Sequence, residues 1–342
     1  MMKMGVTHER PGVYSSYDAS SVVHAGGGAK VVGLAASKAG ASPEETVTLT
    51  TFEQAAAAFG PQEEITALAG ILLSNGAAAV VAVGVGSVEE YQTAFQTLGL
   101  REEVELVVCD SQDLSVQQAL RDSVEEASKA RRERICVVTG GGQETVEQLT
   151  ARAGQLNHSR VVLVAPGTGE KPWQTAAAVA GAIAGEADPA VPLGGAELRG
   201  LGSLGKNYSD NELDLLVRGG VTAVEQVGGR VSVIRGVTTK TTPDTTWREL
   251  TTILIVDDVI PAIRESLKAK FARSKNTPQS RGAIRAQVIV ELEKKLAGEI
   301  ITGYENVTVS PLEENPTVCL VDFSFTVAHG LNQIWLSAHI TV

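Results

Sequence analysis

The chain has 342 residues, 43% hydrophobic and 20% charged, and carries 29 Lys and Arg against 40 Asp and Glu, a formal net charge of -11. That balance excludes a disordered chain, which needs low hydrophobicity and high charge. It also argues against nucleic acid as a partner, since neutralising phosphates takes clustered Lys and Arg. The length suits about two domains.

Residues 1–22 show no helical period and read as an extended arm, with Pro11, Gly12, Val13, Tyr14 and Tyr17 in "RPGVYSSY". This opening lacks the long apolar core of a secretory signal. Residues 30–37 read as a buried strand and 45–50 as an alternating one. A short helix follows, with Thr51 as N-cap and Gly60 closing it, and Ile65, Leu68 and Leu72 mark a second. The longest apolar stretch, 77–85, reads as a strand and is too short to cross a bilayer, so no membrane insertion is expected.

From residue 104 strands and helices alternate. "VELVVCD", "ICVV" and "RVVLVAP" are strands. Val116, Leu120, Val124 and Ala127 share one helix face, and Val146, Leu149, Ala153 and Leu156 share another. "WQTAAAVAGAIAG" is a small-residue helix. Short turns between such elements imply a mainly parallel sheet covered by helices, an α/β fold. A Gly- and Pro-rich loop begins near residue 187, then a helix closed by Gly219 and Gly220, then a hairpin turning at Gly228 and Gly229. Polar residues 239–246 read as an interdomain link.

The last hundred residues have an α+β order. "ELTTILIVDDVIPAIRESLKAKF" reads as strand, then helix, with Ile260, Ile263, Leu267 and Phe271 on one face. Ile284, Val288, Leu292 and Leu296 mark a second helix, and "NVTVS" and "VCLVDFSFTVA" read as strands. Ile334, Leu336, Ala338, Ile340 and Val342 alternate to the final residue. The expected domains are an extended arm at 1–22, an α/β domain at 23–237, an α+β domain at 238–328 and a strand arm at 329–342.

Searches for catalysis return nothing specific. "GGGQET" at 140–145 lacks the third glycine of a dinucleotide fingerprint and the Lys-Ser/Thr pair of a phosphate loop. Gly140, Gly141 and Gly142 therefore read as a turn between strand and helix. "GVGSVE" at 84–89 and "PGTGEKPW" at 166–173 fail the same tests. None of His8, His24, His158, His329 and His339 pairs with another at helical ligand spacing, so no metal site is expected. Cys109, Cys136 and Cys319 fit no redox or zinc spacing and suggest a reducing compartment. Asp257 and Asp258, on a strand, would point to opposite faces and could not work as an acid/base pair. The basic run "KARRER" at 129–134 reads as a solvated helix end.

The terminal strand is more telling. Residues 334–342 carry no Lys, Glu or Pro to blunt an edge. The stretch is either an internal strand of the C-terminal sheet or a strand donated to a neighbour's sheet. Donation that does not close on itself builds a filament or tube.

With these residues in view, the chain resembles the contractile tail sheath proteins of phages and phage-tail-like particles. "RPGVY" looks like the sheath N-terminal motif. "TVTLTTFEQAAAAFG" followed by "LLSNGAAAVVAV" is similar to the family's early segment. "VPLGGAELRGL", "GGRVSVIRGVTT" and "ELTTILIVDDVIPAIRESLKAKF" look like its later ones. The resemblance implies a non-enzymatic structural subunit without cofactors, made in a bacterial cytoplasm and assembled into a tail. Its C-terminal domain would line a tail tube, and its arms would weave neighbours into a mesh that shortens and drives the tube through an envelope. Its partners would be copies of itself, the tube protein, and baseplate and tail terminator proteins. The inter-subunit contacts would be Gly12, Val13, Tyr14 and Tyr17 with Ile334, Leu336, Ala338, Ile340 and Val342. Two other readings stay open: a nucleotide-binding α/β enzyme or sensor using Gly140–Gly142, and a non-contractile filament or shell subunit.

Overall fold

The computed structural model describes residues 29–332. Within it the largely apolar run VVGLAAS forms strand β1, Val31–Ser37, five of whose residues are buried. A short strand β2, Val47–Leu49, leads into helix α1, Phe52–Phe59. The Thr51 side chain accepts from the Gln54 N–H at the start of α1, and the Gly60 N–H closes its end on the Ala56 carbonyl. Helix α2, Glu64–Ser74, is followed by strand β3, Ala79–Val85, and helix α3, Tyr91–Gly99.

The regular alternation then runs through β4, Val104–Cys109; α4, Leu114–Lys129; β5, Ile135–Thr139; α5, Val146–Leu156; β6, Val161–Ala165; and α6, Trp173–Gly185. After the loop come β7, Glu197–Leu198; α7, Asp210–Arg218; β8, Val221–Val227; and β9, Arg230–Arg235. The nine strands form one sheet in the order β2-β3-β1-β4-β5-β6-β8-β9-β7. The six from β3 to β8 run parallel, and β2, β9 and β7 pair antiparallel at the margins. Each parallel pair needs a crossover, which the helices supply.

Alternate residues of each strand face opposite sides. Val81, Val83, Val107, Cys136, Val138, Leu163 and Val221 form one core with Phe95 and Leu98 of α3, Leu120 of α4, Leu149 of α5 and Leu216 of α7. Helices α2 and α6 pack on the sheet as a second, mutually contacting group. In α6 Ala176, Ala177, Ala178 and Ala180 are fully buried, and their small side chains let the helix pack closely on both the sheet and α2.

The described residues divide into two compact units, 29–253 with 329–332, and 254–328. The 239–246 segment, expected as a link, is anchored to the larger unit. Thr238 and Thr239 are fully buried, the Thr239 N–H donates to the Val161 carbonyl at 2.9 Å, and the Thr238 N–H donates to the Arg248 carbonyl at 2.7 Å. Satisfied hydrogen bonds are what allow threonines into a core.

A second departure is helix α8, Leu250–Phe271, which includes Pro261. The run "TTILIVDDV", read as a strand from its β-branched residues, forms the first half of that helix. Periodicity decides here: Ile253, Val256, Ile260, Ile263 and Leu267 are all buried at helical spacing. Asp257 and Asp258 are therefore neighbours on a helix. Helix α9, Pro278–Ala297, begins at a Thr277 N-cap with Pro at its first position. Strands β10, Ile301–Leu312, and β11, Asn315–Val327, form a separate two-stranded antiparallel sheet. Val259, Ile263, Leu267, Val288, Leu292, Ile301 and Val307 make that unit's core.

Asp258 explains why a carboxylate sits on α8 at all: it pairs with Lys295 of α9, with side chains only 20% and 13% exposed. Removing one member leaves the other charge poorly solvated. Asp258→Ala is expected to destabilise by about 2–3 kcal/mol, read as a lower denaturant midpoint. A double-mutant cycle with Lys295→Ala should show the losses to be non-additive.

Candidate functional site

In open α/β sheets, ligands bind outside the carboxyl ends of the strands, where strand order reverses. Here the reversal lies between β1 and β4, and side chains of the protein hydrogen-bond across its mouth. Asp110, just past β4, accepts from the Ser37 N–H at 2.9 Å and from the Tyr91 hydroxyl. Burial pushes the Asp110 carboxyl up, against the lowering effect of those hydrogen bonds. The same burial, with Asp110 beside it, pushes the Tyr91 hydroxyl up. The group ties the ends of β1 and β4 to the start of α3.

The Gly140–Gly142 turn is filled in the same way. The Gly141 N–H donates to Glu144 Oε2 at 2.7 Å, and Arg152 holds the other oxygen at 2.6 Å. Arg152 also donates to the Gln112 carbonyl at 3.0 Å and to Gln117 Oε1 at 3.2 Å. A carboxylate thus stands where a phosphate would have to sit. The first turn of α5 is also taken, by a Thr145–Gln148 capping box. A Cβ on Gly140 would come within 2.2 Å of Leu149 Cδ2 and 2.7 Å of Glu144 Oε2, so a larger residue there would have to move both side chains. These contacts favour the turn over a phosphate cradle.

No group of three or more His, Cys, Asp and Glu that could hold a metal occurs among the described residues. Asp257 and Asp258, one step apart on a helix, diverge, and Asp258 is committed to Lys295. No described helix is long and apolar enough to cross a membrane.

The basic run at 129–134, expected to be a solvated helix end, is partly structural. Arg134 is 2% exposed and donates to the Leu98 and Arg101 carbonyls at 2.8 Å each, and Arg132 donates to the Gly99 carbonyl. Both close the C-terminus of α3, where cations complement the dipole. Burial, with Arg132 nearby, lowers the Arg134 pKa to about 10. Linear proximity to α4 hid this partnership with a helix some 35 residues earlier.

His158 has a definite structural role. Its N–H donates to Thr239 Oγ1 at 3.0 Å, and Thr239 donates back to its carbonyl at 3.1 Å. Its ring Nδ1 accepts from the Arg160 N–H at 3.1 Å. Burial lowers its pKa from 6.5 to about 4, against the pull of Glu125 at 3.8 Å. The unfolded chain therefore takes up this proton first as pH falls. The stability held above pH 6.5 is lost between about 6.5 and 4, by up to roughly 3 kcal/mol. Urea titrations at the two ends of that window should show a smaller acid loss in His158→Gln than in the wild-type protein.

The two sheets treat their edges differently. The nine-stranded sheet ends in strands of three and two residues, β2 and β7. Very short edge strands are a standard protection against edge-to-edge pairing. The β10–β11 hairpin has strands of 12 and 13 residues, and neither outer edge pairs with another strand among the described residues. Its inner face carries Tyr304, Val321, Phe323 and Phe325 against the core, and Thr302, Thr308, Asp322, Ser324 and Thr326 are exposed. The expected contact residues Gly12, Val13, Tyr14, Tyr17, Ile334, Leu336, Ala338, Ile340 and Val342 lie outside the described residues. The hairpin itself was missed as one long unit, because bulges near Ile301, Glu305 and Pro311 break its alternation.

The larger unit thus has short edge strands, and the hairpin of the smaller unit has long edges that are unpaired among the described residues. Comparison with known proteins supplies the family. Residues 84–239 match the phage tail sheath protein central domain, and residues 242–341 match the phage tail sheath C-terminal domain. The chain belongs to the phage tail sheath protein family.

The tail sheath protein of Bacillus phage SP01 is 28% identical over 230 residues, 63% of this chain and 39% of that protein. That of Mycobacterium phage Bxz1 is 25% identical over 295 residues, 80% and 51% of the two lengths. The chain thus spans about half or less of these relatives. Its fold is similar to the anti-feeding prophage helical sheath in the contracted state, at a TM-score of 0.75 and 13% identity, covering 98% of this chain and 99% of that one. The sheath tail protein of Listeria innocua gives 0.72 at 12%, covering 88% and 92%.

Proposed function

We propose that this chain is a contractile sheath subunit that polymerises helically around a tail tube. Residues 333–342 of one subunit add to the hairpin of the next, and the 1–22 arm contributes Gly12, Val13, Tyr14 and Tyr17 to the same join. The α/β domain faces outward, and the C-terminal domain lines the tube. Baseplate and tail terminator proteins bound the polymer at its two ends. The energy for contraction is stored in the extended assembly, so no nucleotide or other cofactor is consumed.

The observation that carries this reading is the contrast in edges. One sheet ends in very short strands at both margins, while the other has two long edges that are unpaired among the described residues. The chain also supplies a segment of alternating pattern, from Ile334 to Val342, to occupy one of them.

Negative-stain electron microscopy of the purified full-length protein, alone and with its tube protein, tests the reading. Hollow striated tubes, narrower when formed around the tube protein than without it, are expected. Uniform small particles under both conditions would reject polymerisation. Tubes of one fixed diameter under both would favour a non-contractile filament.

A further inference from the structure

The chain is acidic overall, yet residues 266–290 contain six basic side chains and no acidic one. They gather at the turn between α8 and α9. Lys268 and Lys270 stand in the last turn of α8, Arg273 and Lys275 in the connection, and Arg281 and Arg285 in the opening turns of α9. All but Arg281, which is half-buried, are exposed. Lys268 pairs with Glu265 on its own helix. The other five have no carboxylate within ion-pair distance among the described residues.

What these side chains do inside the unit is limited. Arg285 donates to the Val307 carbonyl at 2.7 Å, Arg281 to Asn276 Oδ1 at 2.9 Å, and Lys270 to Gln287 Oε1. Among the described residues, Arg273 and Lys275 make no side-chain contact of this kind. The β10–β11 turn reaches the same end of the unit, since the Asn276 amide donates to the Pro316 carbonyl at 2.8 Å. That turn brings Glu313 and Glu314, so this end keeps an excess of positive charge. The arrangement works against the fold: Arg281 sits at the positive end of the α9 dipole, and Arg281 and Arg285 are like charges one turn apart. A charge cluster that costs its own helix stability points to a partner outside the unit.

The complementary surface is in the same sequence. Residues 29–253 carry 18 basic and 28 acidic side chains, a net charge of -10. We infer that the basic turn between α8 and α9 docks on the acidic α/β unit of a second copy of this chain, an ionic contact between subunits separate from any strand exchange. Such contacts steer encounter and fix register more than they add affinity, and salt weakens them. The inference rests on the proposed polymerisation.

The test uses the full-length protein, following assembly by light scattering from about 0.05 to 0.5 M salt. Arg273→Glu with Lys275→Glu is compared with Arg273→Gln with Lys275→Gln. The reversed pair should raise the assembly concentration about tenfold at low salt, the neutral pair less, and both should flatten the salt dependence. Zero-length carbodiimide coupling in a mixture of isotope-labelled and unlabelled subunits should join Lys268 or Lys275 to carboxylates of residues 29–253 in another copy. Tubes that form at the wild-type concentration in both variants would overturn the ionic contact and leave the sheath reading standing. Couplings confined to one copy would do the same, as would variants whose only defect is lost binding to DNA or to an acidic protein other than this chain. Absence of self-association in the wild-type protein at every salt concentration would overturn both.

Discussion

Deleting residues 333–342 is expected to leave a folded subunit that no longer polymerises. The deleted segment contributes Ile334, Leu336, Ala338, Ile340 and Val342 at period two, the pattern of a strand with one buried face. The proposed receiver is the β10–β11 hairpin, whose strands are long enough to pair with all ten residues. A strand that long would add several backbone hydrogen bonds, each worth about 0.5–1.5 kcal/mol net, besides its apolar burial. Losing even about 4 kcal/mol per join raises the assembly concentration roughly a thousandfold. The fold should survive, because the smaller unit's core of Val259, Ile263, Leu267, Val288, Leu292, Ile301 and Val307 lies wholly before the cut. Sedimentation velocity and circular dichroism check the two halves of this expectation. Tubes of the truncated chain at wild-type concentration would reject strand exchange.

Much of the larger unit could be read from local pattern. Thr51 and Gly60 bound a helix as caps, and the faces Val116–Leu120–Val124–Ala127 and Val146–Leu149–Ala153–Leu156 are buried. Gly228 and Gly229 adopt the positive φ that a tight hairpin turn between β8 and β9 requires. Such features depend on neighbours within a turn or two. The failures are elements decided at longer range. The first half of α8 has strand-like composition, and its packing makes it helical. Arg134 looked solvated because its partners, the Leu98 and Arg101 carbonyls, are remote in sequence. Thr239 looked like linker because a hydroxyl buried by a hydrogen bond to a carbonyl remote in sequence, that of His158, has no local signature.

The candidate site divides the same way. The missing third glycine argued against a dinucleotide loop at Gly140–Gly142, but only the structure shows Glu144 filling it. The strand proposed as donor was legible as alternation in 334–342. Its proposed receiver was not, because the β10–β11 register is broken by bulges and its edges, unpaired among the described residues, are a property of the whole sheet.

The second large effect comes from glycine in the α2–α6 contact. Helix α6 carries Gly181 and Gly185 one turn apart on the face toward α2 and the turn after it. A Cβ on Gly181 would lie 2.7 Å from the Leu72 carbonyl oxygen and from Asn75 Cβ, and one on Gly185 would lie 2.9 Å from Gly76 Cα. These obstacles are mostly backbone, so no rotamer change relieves them. Gly76 cannot retreat freely either, as its φ of +117 is open only to glycine. Overpacking of a core commonly costs about 1–3 kcal/mol, and a β-branched side chain against immobile backbone belongs at or above that limit. Gly181→Val is therefore expected to destabilise the larger unit by about 3 kcal/mol or more, lowering Tm by roughly 6–12 °C for a unit of this size. Gly154→Ala in α5 is the matched contrast: its Cβ would meet nothing within 4 Å, and the helix gains about 0.5–1 kcal/mol. Calorimetry of both variants separates close packing from a general effect of replacing glycine. A wild-type Tm in Gly181→Val would mean that the two helices do not approach at the backbone. A fall there with a rise in Gly154→Ala would tie the rigidity of the larger unit to two atoms that α6 lacks.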